Sequence, residues 1–176
     1  MPFTPFHMGP GAAIKAVLGR YFSLTVFGFA QIAIDLEPLI RLLRHDNIVH
    51  GITHSYLGAF IIGLFSCFFG KIVCQWLLSA WNYIFSFKYL TWLQVSSNIS
   101  NFAAFTGSFI GTFSHVLLDS IVHADVQPFW PTSLSNGLLN FIPAAWVYFL
   151  CSVFGVIGLM ILFVVGLWNK WAIEIK

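Results

Sequence analysis

The stretch "AAWVYFLCSVFGVIGLMILFVVGLW" (Ala144–Trp168) runs for 25 residues without a charge. A helix needs about 20 apolar residues to cross the hydrocarbon core of a bilayer. Trp146 and Trp168 lie near its two ends, where amphipathic rings favour the headgroup level, and Lys170 follows. The stretch therefore predicts a transmembrane helix, and with it a membrane protein.

Outward from this segment the composition agrees. Only 8% of the 176 residues are charged and 59% are hydrophobic, with 20 Phe and 7 Trp. Soluble domains carry about 25% charged residues, so most of this surface cannot face water. Three further segments are apolar but interrupted. Tyr21–Ile34 runs into Asp35 and Glu37. Tyr56–Phe87 carries Lys71 in its middle, which fits one crossing plus a bend or an interfacial helix. Asn101–Val122 contains His115 and Asp119. A short amphipathic piece, Ala12–Arg20, precedes them, and "SSNIS" (Ser96–Ser100) and "PTSLSNG" (Pro131–Gly137) read as loops. The expectation is an all-α, polytopic membrane bundle of about four transmembrane helices, with residues 1–176 as one domain.

Several classes fall away. A net charge of +2 without basic clusters gives no nucleic-acid footprint. No Gly-rich phosphate loop or nucleophile elbow is present. Cys67, Cys74 and Cys151 lie in apolar runs without disulfide-framework or CxxC spacing and read as small apolar residues. The opening "MPFTPFHMGPGAAIKAV" lacks the order of a signal peptide, so no cleaved leader is expected.

The ionisable residues are concentrated. Apart from Glu174, every acid lies in Asp35–Asp46 or Asp119–Asp125, and apart from His7 every histidine lies in or beside those regions. Ionisable side chains at bilayer depth cost about 2.5–3.5 kcal/mol each on insertion scales, which makes them functional candidates. His115 and Asp119 are four apart and project from one helix face, with His123 next if the helix continues. Gly107 and Gly111 share that stripe, so another helix can approach closely there. The pattern fits a metal-ligating face, a proton relay, or a packing stripe that ends in a polar patch.

In "DNIVHGITHS" (Asp46–Ser55) the same spacing recurs for Asp46, His50 and His54, but Gly51 suggests a loop, with Thr53 or Ser55 capping the next helix. Asp46 reads as an exposed loop acid, and His54 sits at a helix mouth where simple solvent exposure is the alternative. Asp35 and Glu37, two apart, fall on different faces of a helix, so both can ligate only if the helix ends there, and Asp35 is the better candidate. His7 alone is weak. The donor set of imidazole and carboxylate without thiolate suits a divalent transition metal, zinc first, with manganese or iron as alternatives. If the polar cluster lies at one membrane face, Lys15, Arg20, Lys71, Lys88, Lys170 and Lys176 fall toward the other, and only Arg41 and Arg44 stay beside it. Lysine and arginine prefer the cytoplasmic side, which puts the cluster on the extracytoplasmic face.

"HGITHSY", "GTFSHVLLD" and "VQPFWP" together resemble the LexA-regulated, inner-membrane, metal-dependent hydrolases of the YdjM-like group. The likeness spans roughly residues 7–131. His7 matches that group's early histidine, and Asp35 with Glu37 its acidic pair. Gly51, Thr53, His54 and Ser55 match a first box; Gly111, Ser114, His115 and Asp119 match a second; Trp130 and Pro131 close the pattern. The first box departs from His-Arg, which is Val49-His50 here, and His123 has no counterpart. The resemblance implies a bacterial inner-membrane metallohydrolase with His7, Asp35, His54, His115 and Asp119 as ligands. Glu37 or His50 would serve as general base or outer partner. A more distant similarity to zinc-dependent phospholipases C and single-strand nucleases suggests a phosphoester, and the membrane setting a lipid. A metal or proton transporter, and a non-catalytic scaffold, are the competing readings.

Overall fold

The computed structural model describes residues 5–87 and 93–174. Lys88 and Lys176, two of the cations counted above, lie outside the described residues, as does the side chain of Lys170. Every regular element among the described residues is helical: α1 Met8–Leu18, α2 Leu24–Leu43, α3 Tyr56–Phe65, α4 Lys71–Ile84, α5 Asn101–Val122 and α6 Ala144–Glu174. A π-helical turn, Ser66–Gly70, joins α3 to α4, so Tyr56–Ile84 is one helical run of 29 residues rather than a crossing plus an interfacial helix.

Three runs among the described residues are long and apolar enough to cross a membrane: Tyr56–Ile84, Asn101–Val122 and Ala144–Trp168. α2 makes a fourth long pass, more polar because it carries Asp35, Glu37 and Arg41. Large apolar side chains such as Phe68, Ile72, Trp76, Phe163 and Val164 are exposed on these runs. A monomeric soluble protein does not leave so much apolar surface open; this is the lipid-facing exterior of a membrane protein.

Local sequence explains where the helices start. Ser23, Ser55 and Ser100 each accept a hydrogen bond from a backbone N–H three residues on, at 3.3, 3.0 and 3.1 Å, capping α2, α3 and α5. α1 begins before the expected Ala12, because Gly9 and Ala12 pack against α6 and pull that end into order. α2 does not end at Asp35. Asp35 is turned inward and Glu37 pairs with Arg41 one turn on, so neither carboxylate breaks the helix. It ends at Leu43, capped by Arg44, with His45 in the left-handed region at φ 58°.

α2 and α5 lie side by side, both running toward the same end. A Cβ on Gly107 would fall 2.5 Å from the Ser23 carbonyl oxygen, and one on Gly111 3.2 Å from that of Phe27. The small-residue stripe therefore does seat a neighbouring helix, and that neighbour is α2. α3 packs antiparallel on α5 through Ala59 and Val116, with Ile34 of α2 in the same cluster. Lys15 donates to the Phe22 carbonyl and Lys71 to Asn101, which gathers these cations at the start of α5. Arg41, by contrast, lies at the end where α5 finishes, beside the turn that leads into α3.

Candidate metal centre

Helical phase brings the site together. Continuation of α2 past Ile34 places Asp35 against α5, and the turn Ile52–His54 places His54 over both. His115 and Asp119, one turn apart on α5, complete a buried group of four. His115 lies seven residues before the last residue of α5, about 10 Å beneath that end of the bundle at 1.5 Å per residue.

The distances within this group are informative. His115 Nε2 is 3.1 Å from Asp35 Oδ1 and 3.2 Å from Asp119 Oδ2. His54 Nε2 is 3.6 Å from Asp35 Oδ1, 3.2 Å from Asp119 Oδ2 and 3.3 Å from His115 Nε2. These are five of the six edges of a tetrahedron. Imidazolium–carboxylate hydrogen bonds run shorter, about 2.7–2.9 Å. Donor atoms about 2.0–2.1 Å from a shared zinc-sized ion, by contrast, stand about 3.3 Å from one another. The residues fit a divalent transition metal.

Outer contacts orient the ligands. The Nδ1 of His115 bonds the Gln31 side-chain oxygen, and the Gln31 amide donates to the Gly111 carbonyl at 3.1 Å. The Nδ1 of His54 lies 3.1 Å from the Thr53 hydroxyl. In both rings Nε2 is thereby turned toward the carboxylates, the arrangement that a metal-ligating histidine requires.

The other expected residues fall around this core. His7 is buried, edge-on to His115, with Nε2 3.4 Å from Asp119 Oδ1, so it touches the group without being one of the four. Burial, only partly opposed by Asp119, pushes its pKa down to about 4. Glu37 stands outside. Its Oε1 accepts from Arg41 at 2.8 and 2.9 Å, and its Oε2 accepts from the Thr53 N–H at 2.8 Å. Both oxygens are thus occupied, Oε1 by Arg41 on the same helix and Oε2 by the turn that carries His54. Asp46 is exposed.

His50 is buried and held by Asp125, which accepts from the His50 ring at Nδ1 (2.8 Å) and from the backbone N–H groups of Val49 and His50 (3.0 Å each). Burial and the neighbouring His54 lower the His50 pKa below the ordinary histidine value. Partial burial raises the Asp125 carboxyl, but the His50 contacts bring it down to about 2. His123 ends α5, its carbonyl bound by the Asn136 amide at 3.2 Å. Gln31 and Asp125 went unread in the sequence. Gln31 stands four residues before Asp35 inside an apolar run, the same spacing that exposed His115 and Asp119. Asp125 had only its membership in the second acid cluster.

Glu37→Gln removes the charge that holds Thr53 and Arg41 while keeping the shape. The expected result is a loss of about 1–2 kcal/mol of stability with metal content retained, checked by thermal unfolding in detergent beside elemental analysis. Loss of all metal would instead make Glu37 a ligand. No known protein family, no curated protein and no solved structure matches this chain.

Proposed function

We propose that this protein is a membrane-embedded metal-dependent hydrolase acting on a phosphoester, with a phospholipid as the substrate class. The observation that carries the reading is the near-tetrahedral set of Asp35, His54, His115 and Asp119, buried just beneath one end of a helical membrane bundle. A divalent transition ion held there would lower the pKa of a bound water toward about 7 and polarise a phosphoryl oxygen. Zinc is the first expectation, and the resemblance to the YdjM-like inner-membrane hydrolases adds to it.

The chain's own residues then have distinct tasks. Asp35 and Asp119 supply the anionic charge that a cation needs in this buried setting. Gln31 and Thr53 set the ring orientation of His115 and His54. Glu37 fixes the turn, which leaves it in a positioning role rather than that of a base. A cavity of about 410 Å³, lined by Phe6, Gly9, Ala12, Cys151 and Gly155 among others, opens beside the residue preceding His7. Its apolar walls suit an acyl chain whose headgroup reaches the site. The clustering of Lys15 and Lys71 at the opposite end supports an inner-membrane protein with its site on the extracytoplasmic face.

A transport path is the less favoured reading. The buried hydroxyls of α5 do not link into a chain: Ser108, Thr112 and Ser120 donate to carbonyls three or four residues back on their own helix. Purified protein is expected to contain stoichiometric transition metal and to hydrolyse phospholipid in mixed micelles. Chelation should abolish turnover and zinc should restore it. Metal-loaded protein that cleaves no phosphoester but carries metal or protons across proteoliposomes would favour the transporter.

A further inference from the structure

His50 presents an anomaly. Its side chain is only 4% exposed, its Nδ1 is 2.8 Å from Asp125 Oδ1, and its Nε2 is buried with no hydrogen-bond partner among the described residues. Leaving a buried ring nitrogen unsatisfied is costly, and buried polar atoms are nearly always paired. The proton on Nδ1 is fixed by the Asp125 carboxylate, so Nε2 holds a bare lone pair. Carboxylate–histidine pairs of this kind orient metal ligands.

The surroundings of that lone pair are donor atoms. His50 Nε2 lies 3.9 Å from Asp119 Oδ2, and His123 Nε2 lies 3.9 Å from Asp119 Oδ1. The His50 and His123 rings are near neighbours, with centroids 4.5 Å apart. His50, His123 and Asp125 also form a group whose ligand atoms all lie within 4.8 Å of one another. Asp125 itself is fully engaged: one oxygen holds the His50 ring and the other takes two backbone N–H groups. Asp119, in contrast, uses Oδ2 toward His54 and His115 and turns Oδ1 toward His7 and His123.

We infer that the chain binds a second divalent transition ion, held by His50 Nε2, His123 Nε2 and Asp119, with Asp119 bridging it to the first. Asp125 acts as the positioning carboxylate for His50. The distances of 3.9 Å are somewhat longer than the edges of the first group, so these ligands close in slightly on the cation. The inference rests on the first centre binding metal, since the two share Asp119. It adds two ligands that the family resemblance does not supply: His50 stands where that pattern has arginine, and His123 has no counterpart.

The test is metal stoichiometry on the full chain in detergent, stripped by chelation and reloaded with Zn²⁺, with Mn²⁺ loading followed by electron paramagnetic resonance. Wild type is expected to take two ions per chain and, with manganese, to give an exchange-coupled spectrum. His123→Ala and His50→Gln are each expected to take one ion, with an uncoupled manganese signal. His123 is partly exposed at the end of α5, so that variant keeps the test valid if His50→Gln does not fold. Asp125→Asn should weaken the second ion about 10–100-fold and leave the first unchanged. Saturation of wild type at one ion, or two ions retained in His123→Ala, would overturn the inference while leaving the first centre standing. No ion in wild type would overturn both.

Discussion

Asp119→Asn is expected to strip the protein of metal. Asparagine preserves the shape but removes the charge and one acceptor at the residue that both histidines of the group face. Asp119 Oδ2 is 3.2 Å from both His54 Nε2 and His115 Nε2, and Oδ1 is 3.4 Å from His7 Nε2. Loss of an outer partner alone weakens metal sites about 10–100-fold, so loss of the shared ligand should exceed about 100-fold. Elemental analysis after equilibration with zinc reads the effect directly. The melting temperature should fall with it, because metal that binds only the folded chain contributes to its stability. Wild-type metal content in Asp119→Asn would remove the centre as described. His7→Ala is the informative contrast: it leaves the four-residue group intact, so most of the metal should remain.

Gly107→Leu should produce a comparable loss without touching a ligand. A Cβ at this position already meets the Ser23 carbonyl at 2.5 Å, and a leucine forces α2 away from α5. Overpacking of this kind costs about 1–3 kcal/mol. The larger consequence is geometric. Asp35 rides on α2 and His115 with Asp119 on α5, so parting the helices opens the group of four. Reduced thermal stability and reduced metal content are expected together. Gly137→Ala, at a position with nothing within 4 Å, should change neither. Full metal binding in Gly107→Leu would mean that the ligands tolerate a looser helix pair than the distances imply.

How much of this was legible in the sequence depended on distance along the chain. Asn101–Val122 emerged with its bounds intact, since a polar loop ends in Ser100 and an apolar run carrying His115 and Asp119 follows. His115 and Asp119 were legible for the same reason: a helix turns residues four apart to one side. α2 was harder. Two carboxylates looked like the edge of the membrane, whereas one is buried among ligands and the other is neutralised by Arg41 a turn later. The pairing of His50 with Asp125 could not be read at all. It joins two loops about 75 residues apart, and nothing in either loop's local pattern refers to the other. Loop-to-loop contacts of this kind are set by the packing of the helices between them, not by periodicity.

The dispersal of the ligands also orders the protein's assembly. During synthesis, Asp35 enters the bilayer region with α2, long before α5 exists to face it. His54 follows at the start of α3, yet His115 and Asp119 arrive only after the whole of α3 and α4 has been threaded. Until then the group of four lacks half of its members. Metal capture would therefore be a late event, and it would report that α2 and α5 have met in register. A bound ion would act as a certificate of completed insertion, and a chain that never acquires one would stand out to the cell's quality control as unfinished.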